Sequence, residues 1–296
     1  MPLKPIIIDD NDDGTAASSS PYLTVLSYGH TRSGKTRFAA TWPNAVVIAD
    51  ATERGWDTIV HMPAESFYHP GKRPLVIPVH NQQEMIEAIA LVEGWVKLGV
   101  VDTIVIDSIT FYAESWLSTA MAKAKAAGAK LEGWDLYGPL LNHLTDLRKQ
   151  VHGLLCNVVW LALAKDPDKK ETGGPMLPGS SRLRFPPACN YVFYHRKYAY
   201  ERDLGNGEKE TQQVYEAHNT AFEGYIAGGR DNGKLGDSIY YPTYREIADK
   251  LGLAEFAPKA IPPELIAAAA QEKPATTDTK PAASTPARRS ATTRAR

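Results

Sequence analysis

Residues Gly29-His30-Thr31-Arg32-Ser33-Gly34-Lys35-Thr36 fit the pattern GxxxxGK[ST] and stand between an apolar run, Leu23 to Ser27, and a segment of helical periodicity, Lys35 to Thr41. No other feature constrains the chain as much. A strand must deliver such a loop and a helix must leave it, because the loop works by curling backbone N–H groups around phosphate oxygens at a helix N-terminus. Gly29 to Thr36 would then cradle a nucleotide, with Lys35 bridging the β- and γ-phosphates and Thr36 holding Mg²⁺. ATP with Mg²⁺ is the ligand this spacing predicts.

The rest of the chain has the texture that such a loop requires. Ala45 to Ala49, Leu75 to Val79, Thr103 to Asp107 and Asn157 to Ala164 are short continuous apolar runs, the pattern of strands covered on both faces. Between them Gln82 to Lys97, Ile109 to Ala127 and Tyr137 to Leu154 have helical periodicity. Strand and helix in alternation predict an α/β fold with a mostly parallel sheet and helices on both faces. From Asn190 the sequence becomes Tyr-rich, and Tyr191 to Tyr200 and Gln212 to Glu216 flank the turn-prone Leu204-Gly205-Asn206-Gly207. An antiparallel extension of the sheet is expected there.

This core spans residues 21–258, with 43% of the whole chain hydrophobic, enough for a sizeable buried interior. Residues 1–20 carry Asp9, Asp10, Asp12, Asp13 and a Ser run, the composition of a disordered acidic arm. Residues 259–296 are expected to hold a short helix and then a disordered basic tail, 271–296, in which six basic residues face only Glu272 and Asp278. The 33 Lys and Arg against 34 Asp and Glu give a net charge of −1, so any polyanion must be met by local basic segments. The two cysteines form no metal or disulfide pattern, and no apolar run approaches the roughly 20 residues that cross a bilayer. A reducing cytoplasm and no membrane contact are the expectation.

Several residues carry the predicted chemistry. Asp107 ends an apolar strand, where it would join the Mg²⁺ shell from a neighbouring strand tip. Asp50 and Glu53 follow the second strand and are the candidates to orient an attacking water. Residues 165–187 lack periodicity and carry Lys165, Lys169, Lys170, Arg182 and Arg184 against three acids, a mildly basic loop. The turn Gly228 to Lys234 offers another basic group within reach of a phosphate of this or a neighbouring subunit. Tyr191, Tyr194, Tyr198 and Tyr200 are expected to form one packed strand face rather than a base-stacking platform, and the histidines show no metal-ligand spacing.

Taken together, GxxxxGKT, the acid after the second strand, Asp107-Ser108-Ile109-Thr110 and the basic loop after the fifth strand resemble the RecA-like P-loop ATPases. Thr41-Trp42-Pro43-Asn44 and Gly229-Arg230-Asp231 ahead of Tyr244-Arg245-Glu246-Ile247-Ala248 are most similar to the short phage and prophage members, which include Sak-type single-strand annealing recombinases. The resemblance implies a RecA-like core, ATP and Mg²⁺ in the crevice, a catalytic acid near Glu53, and single-stranded DNA on the loop after the fifth strand. It also implies recombination or replication as the setting, beside a single-stranded-DNA-binding protein, with homo-oligomer formation a further possibility. The acids here stand one residue further apart than the Asp-x-Glu of that family, which leaves the base open between Glu53 and Asp50. Two other readings fit the residues: a P-loop kinase with Arg182 and Arg184 in a lid, and a weakly hydrolysing nucleotide-dependent scaffold or switch.

Overall fold

The computed structural model describes residues 22–129, 134–169, 171–203 and 208–271. The acidic arm, Lys170, the turn at 204–207 and the basic tail lie outside these residues. What is described falls into two units, one through Ile261 and one beginning at Pro262, and the second contributes a single helix, Pro263–Gln271.

In the first unit the elements follow the order β1 (Thr24–Gly29), α1 (Lys35–Ala39), β2 (Ala45–Asp50), α2 (Asp57–Val60), β3 (Leu75–Val79), α3 (Gln82–Lys97), β4 (Thr103–Asp107), α4 (Ile109–Ala126), α5 (Trp134–His152) and β5 (Asn157–Lys165). Then come β6 (Gly174–Pro175), α6 (Ser181–Arg184), β7 (Tyr191–Asp203), β8 (Lys209–His218), β9 (Gly228–Gly229), β10 (Ser238–Tyr240) and α7 (Tyr244–Leu251). The main sheet runs β10-β8-β7-β1-β5-β4-β2-β3. Its strands from β7 to β3 are parallel to their neighbours, and β8 and β10 add antiparallel pairs at one edge.

The expected continuous apolar strands follow from burial on two sides. Val25, Val47, Val105, Val159 and Phe193 face a cluster with Phe38 and Trp42, near α1, and Tyr244 and Ile247 of α7. Their alternates Leu26, Ile48, Ile104, Ile106 and Trp160 are equally buried on the other face, where Trp160 donates its indole N–H to His152 of α5 at 2.9 Å. Local signals set the helix ends. Asn81, Ser108 and Thr243 accept from the backbone N–H three residues on, and Gly252 closes α7 in the left-handed region at φ 69°. Below the sheet, buried Asp102 meets the Lys259 ammonium at 2.5 Å and the Asn44 amide at 2.6 Å, holding the strap after α7 to the start of β4.

Three expectations need correction. β4 is not a neighbour of β1, because β5 lies between them. Residues 165–169 and 171–187 are folded: β6 turns back to pair with β5 at Ala164 and Lys165, and α6 follows. Their order comes from hydrogen bonds and from isolated buried side chains, Leu177 and Phe185, rather than a periodic apolar face, which is why no periodicity marks them. The tyrosines do not share one packed face either. Tyr191 stacks on Phe193, Tyr194 packs between Tyr28 and Tyr225 on the opposite side, and Tyr200 is 55% exposed. β7 outruns β1 after His195, so its outer half pairs only with β8 and buries little.

Candidate nucleotide site

The loop from Gly29 to Gly34 joins the tip of β1 to α1 through two left-handed residues, Arg32 at φ 65° and Gly34 at φ 98°. Gly29 is a position where only glycine fits, since a Cβ there would stand 2.3 Å from the carbonyl oxygen of His195. This close approach presses the start of the loop against β7. Lys35 folds back into the loop and donates to the carbonyls of Gly29 and His30, both at 2.8 Å. Burial pushes its pKa down to about 8 against the opposing pull of Asp107 and Glu53. Ser33 Oγ is buried in the loop without a hydrogen-bond partner, an unfilled polar valence of the kind a phosphate oxygen satisfies.

Thr36 and Asp107 meet although their strands are two places apart. The loop carries Thr36 across the tip of β5, and its hydroxyl donates to Asp107 Oδ2 at 2.9 Å. Asp107 is 8% exposed, and desolvation raises its pKa while the Thr36 hydrogen bond and the Lys35 charge oppose that rise. A hydroxyl and a carboxylate so placed suit Mg²⁺, which is ordinarily held by one or two carboxylates with substrate phosphates completing its shell. Among the described residues no group of three or more His, Cys, Asp or Glu is arranged to hold a metal by itself.

The two acids after β2 occupy different environments. Asp50 Oδ1 accepts from Thr52 N at 2.7 Å, from Glu53 N at 3.3 Å and from the Thr52 hydroxyl at 2.5 Å, so Asp50 shapes the turn. Glu53 is carried by that turn toward Asp107 and Lys35. Its edge is open to solvent, yet partial desolvation, then Asp107 and Asp50, lift its pKa to about 7. Glu114 of α4 adds a further acidic influence that no motif marked. Gly55 makes room for the arrangement, because a Cβ there would stand 3.0 Å from Asp107 Oδ2.

The basic residues expected to face a polyanion have separate fates. Arg182 is 8% exposed, donates to Thr172 O at 2.7 Å and pairs with Glu171 at 2.9 Å, while Lys165 pairs with the same carboxylate at 2.8 Å. Both therefore bind the segment to itself, which also takes Arg182 away from the lid of a kinase. Lys169 and Arg184 remain exposed. Arg230 does not serve the phosphate loop of its own chain. It follows β9, which pairs with β7 at Tyr191, four residues or about 13 Å along the strand from His195, and it donates to Pro187 O at 2.9 Å.

One connection left no mark in the sequence. His30, inside the phosphate loop, lies 2.9 Å from Asp166 and 3.1 Å from the Tyr225 hydroxyl, and that hydroxyl donates to Asp166. Tyr225 in turn stacks on Tyr194 of β7 with ring centroids 3.9 Å apart. Loop, strand tip and the segment before β9 are thus tied at one point. No helix among the described residues is long and apolar enough to cross a membrane. A comparison with curated proteins finds no match. The family model described as an AAA domain matches residues 22–227, from the start of β1 through the Tyr225 contact, and the chain therefore belongs to that family of P-loop ATPases.

Proposed function

We propose that this protein hydrolyses ATP at the phosphate loop and couples the reaction to single-stranded DNA, in phage-type recombination, annealing or replication. The observation that carries the ATPase reading is the Thr36–Asp107 contact at 2.9 Å, beside a lysine committed to the loop and a carboxyl with its pKa near 7. Lys35 would bind the β- and γ-phosphates, and Thr36 and Asp107 would hold Mg²⁺, whose charge, when bound, offsets that of the phosphate oxygens. Glu53 is the base: it takes a proton from a water whose oxygen bonds to the γ-phosphorus as the bond to the bridging oxygen breaks, leaving ADP and inorganic phosphate. Asp50 positions Glu53 through the turn.

Single-stranded DNA is assigned to the segment after β5. Lys169 and Arg184 are its outward cations, and Asp166 links its first residues to His30 of the loop. Phosphate release from ATP, measured with and without a single-stranded oligonucleotide, tests both halves. Lys35→Ala should bind ATP poorly and reduce release by at least about 10²-fold, since no backbone group replaces its point charge. Unchanged turnover in a folded Lys35→Ala protein would overturn the ATPase reading, and release indifferent to the oligonucleotide would overturn the coupling to DNA.

A further inference from the structure

The catalytic residues give the bound nucleotide a direction. Asp107 and Glu53 belong to β4 and to the turn after β2, both on one side of β1, while β7 and β8 lie on the other. With the γ-phosphate at the acids, the nucleoside end would fall on the opposite side of the loop, toward the β7–β8 hairpin. What stands there is a recess bordered by Ser33, Gly34, Arg37, Tyr215, Tyr241 and Pro242. At about 10 Å³ it is too small to enclose a ring, so what it offers a base is the side-chain surface at its rim.

This rim is built firmly. Tyr215 lies against the loop so closely that a Cβ on Gly34 would stand 2.7 Å from its ring. Lys197, its cross-strand partner, places an ammonium 5.3 Å from the ring centroid. Tyr241 is held at φ 48°, a backbone conformation uncommon for a bulky side chain. Three hydrogen bonds fix it there: its N–H donates to Tyr215 O at 2.8 Å, its hydroxyl donates to Gln213 O at 3.0 Å, and that hydroxyl accepts from Gln212 at 3.2 Å. The Tyr241 hydroxyl is thereby occupied, and on a residue 44% exposed the ring is the part left for a ligand.

We propose that the base of this hairpin is the nucleoside shelf of the site, where a nucleobase stacks on one of the Tyr215 and Tyr241 rings and meets the other edge-on, their planes lying 62° apart, without telling adenine from guanine. The inference rests on the ATPase reading and extends it to substrate class. Stacking is tolerant of base identity because every base has a π-face. The polar side chains that could read an edge are the wrong kind to choose between purines. Arg37 offers donors only, both purines present an N7 acceptor, and no side chain lining the recess is a carboxylate or carboxamide; of the other polar side chains there, Ser33 belongs to the phosphates and His195 is buried beneath the recess, out of reach of a base edge.

The test is calorimetric titration with ATP, GTP and inorganic tripolyphosphate, each with Mg²⁺, on the full chain and on Tyr215→Leu, Tyr215→Phe and Tyr241→Ala. ATP and GTP should bind the unaltered protein within about threefold of each other. Tyr215→Leu and Tyr241→Ala should each weaken ATP by roughly 5- to 100-fold, the range of base stacking on an aromatic ring, and leave tripolyphosphate within twofold. Tyr215→Phe should keep ATP affinity. Unchanged tripolyphosphate binding also shows that the loop of each variant is folded. A preference for ATP over GTP above tenfold, an unchanged ATP affinity in both ring-removing variants, or equal losses of ATP and tripolyphosphate would each overturn the shelf. Failure of the unaltered protein to bind either ATP or tripolyphosphate would overturn the ATPase reading and the shelf with it.

Discussion

Glu53 and Asp50 illustrate how much of a site a single residue can decide. Both are acids after the same strand, and spacing alone leaves the base open between them. The structure separates them by hydrogen bonding: one oxygen of Asp50 accepts three bonds within the turn, whereas Glu53 sits beside Asp107 with its pKa lifted to about 7. A base must lose its proton before it can accept one from water, so kcat/KM should rise with pH through about 7. Lys35, with its pKa near 8, loses its charge above that value, so the profile should fall again on the alkaline side. Glu53→Gln should lower kcat by about 10²- to 10⁴-fold and remove the rising limb. Asp50→Asn keeps an acceptor oxygen for the turn and should stay within a few-fold of the unaltered protein with the limb intact. A pH–rate series on both variants decides the matter, and a slow Asp50→Asn beside a normal Glu53→Gln would exchange the two roles.

At the scale of elements, regular strands and helices were legible in the sequence because their burial imposes a period. α3 matches the expected Gln82 to Lys97, β3 the expected Leu75 to Val79, and α4 differs from its expected span only at its last residue. The segment after β5 was not legible, because what orders it is a buried guanidinium, a two-residue strand and isolated buried side chains, none of which has a period. Arg182→Ala should therefore leave the sheet intact and open this segment, with amide exchange across residues 171–184 faster by roughly tenfold. Protection unchanged there would show that β6 suffices without the arginine. The strap after α7 was equally hidden, since Asp102 and Lys259 are separated by 157 residues. Asp102→Ala strands the Lys259 ammonium and one N–H of the Asn44 amide, and should cost about 3 kcal/mol in urea unfolding; a loss below about 1 kcal/mol would make the clamp incidental.

For the whole molecule, the question is how a chain of net charge −1 could respond to a polyanion at its nucleotide site. Local cations can attract DNA wherever they stand, but a change in hydrolysis requires a physical path, and the two needs fall on different residues. Lys169 and Arg184 are exposed and would supply the proposed attraction, whereas His30, Asp166 and Tyr225 join the segment to the phosphate loop. Replacing Lys169 and Arg184 together by Ala should weaken single-stranded DNA binding and flatten its salt dependence by about two phosphate contacts. His30→Phe keeps those cations and a ring beside Tyr225 but removes the bonds to Asp166 and the phenol. It should bind the oligonucleotide with unchanged affinity and lose stimulation, read as the ratio of its hydrolysis with and without DNA. Removing residues 272–296, which lie outside the described residues, takes away basic groups whose attraction would be purely electrostatic, so it should lower affinity, most at low salt, and spare stimulation at saturating DNA. Oligonucleotide titrations at two salt concentrations beside phosphate release distinguish these outcomes: full stimulation in His30→Phe would move the coupling away from the Asp166 contact, and stimulation lost with the tail would make the tail part of it.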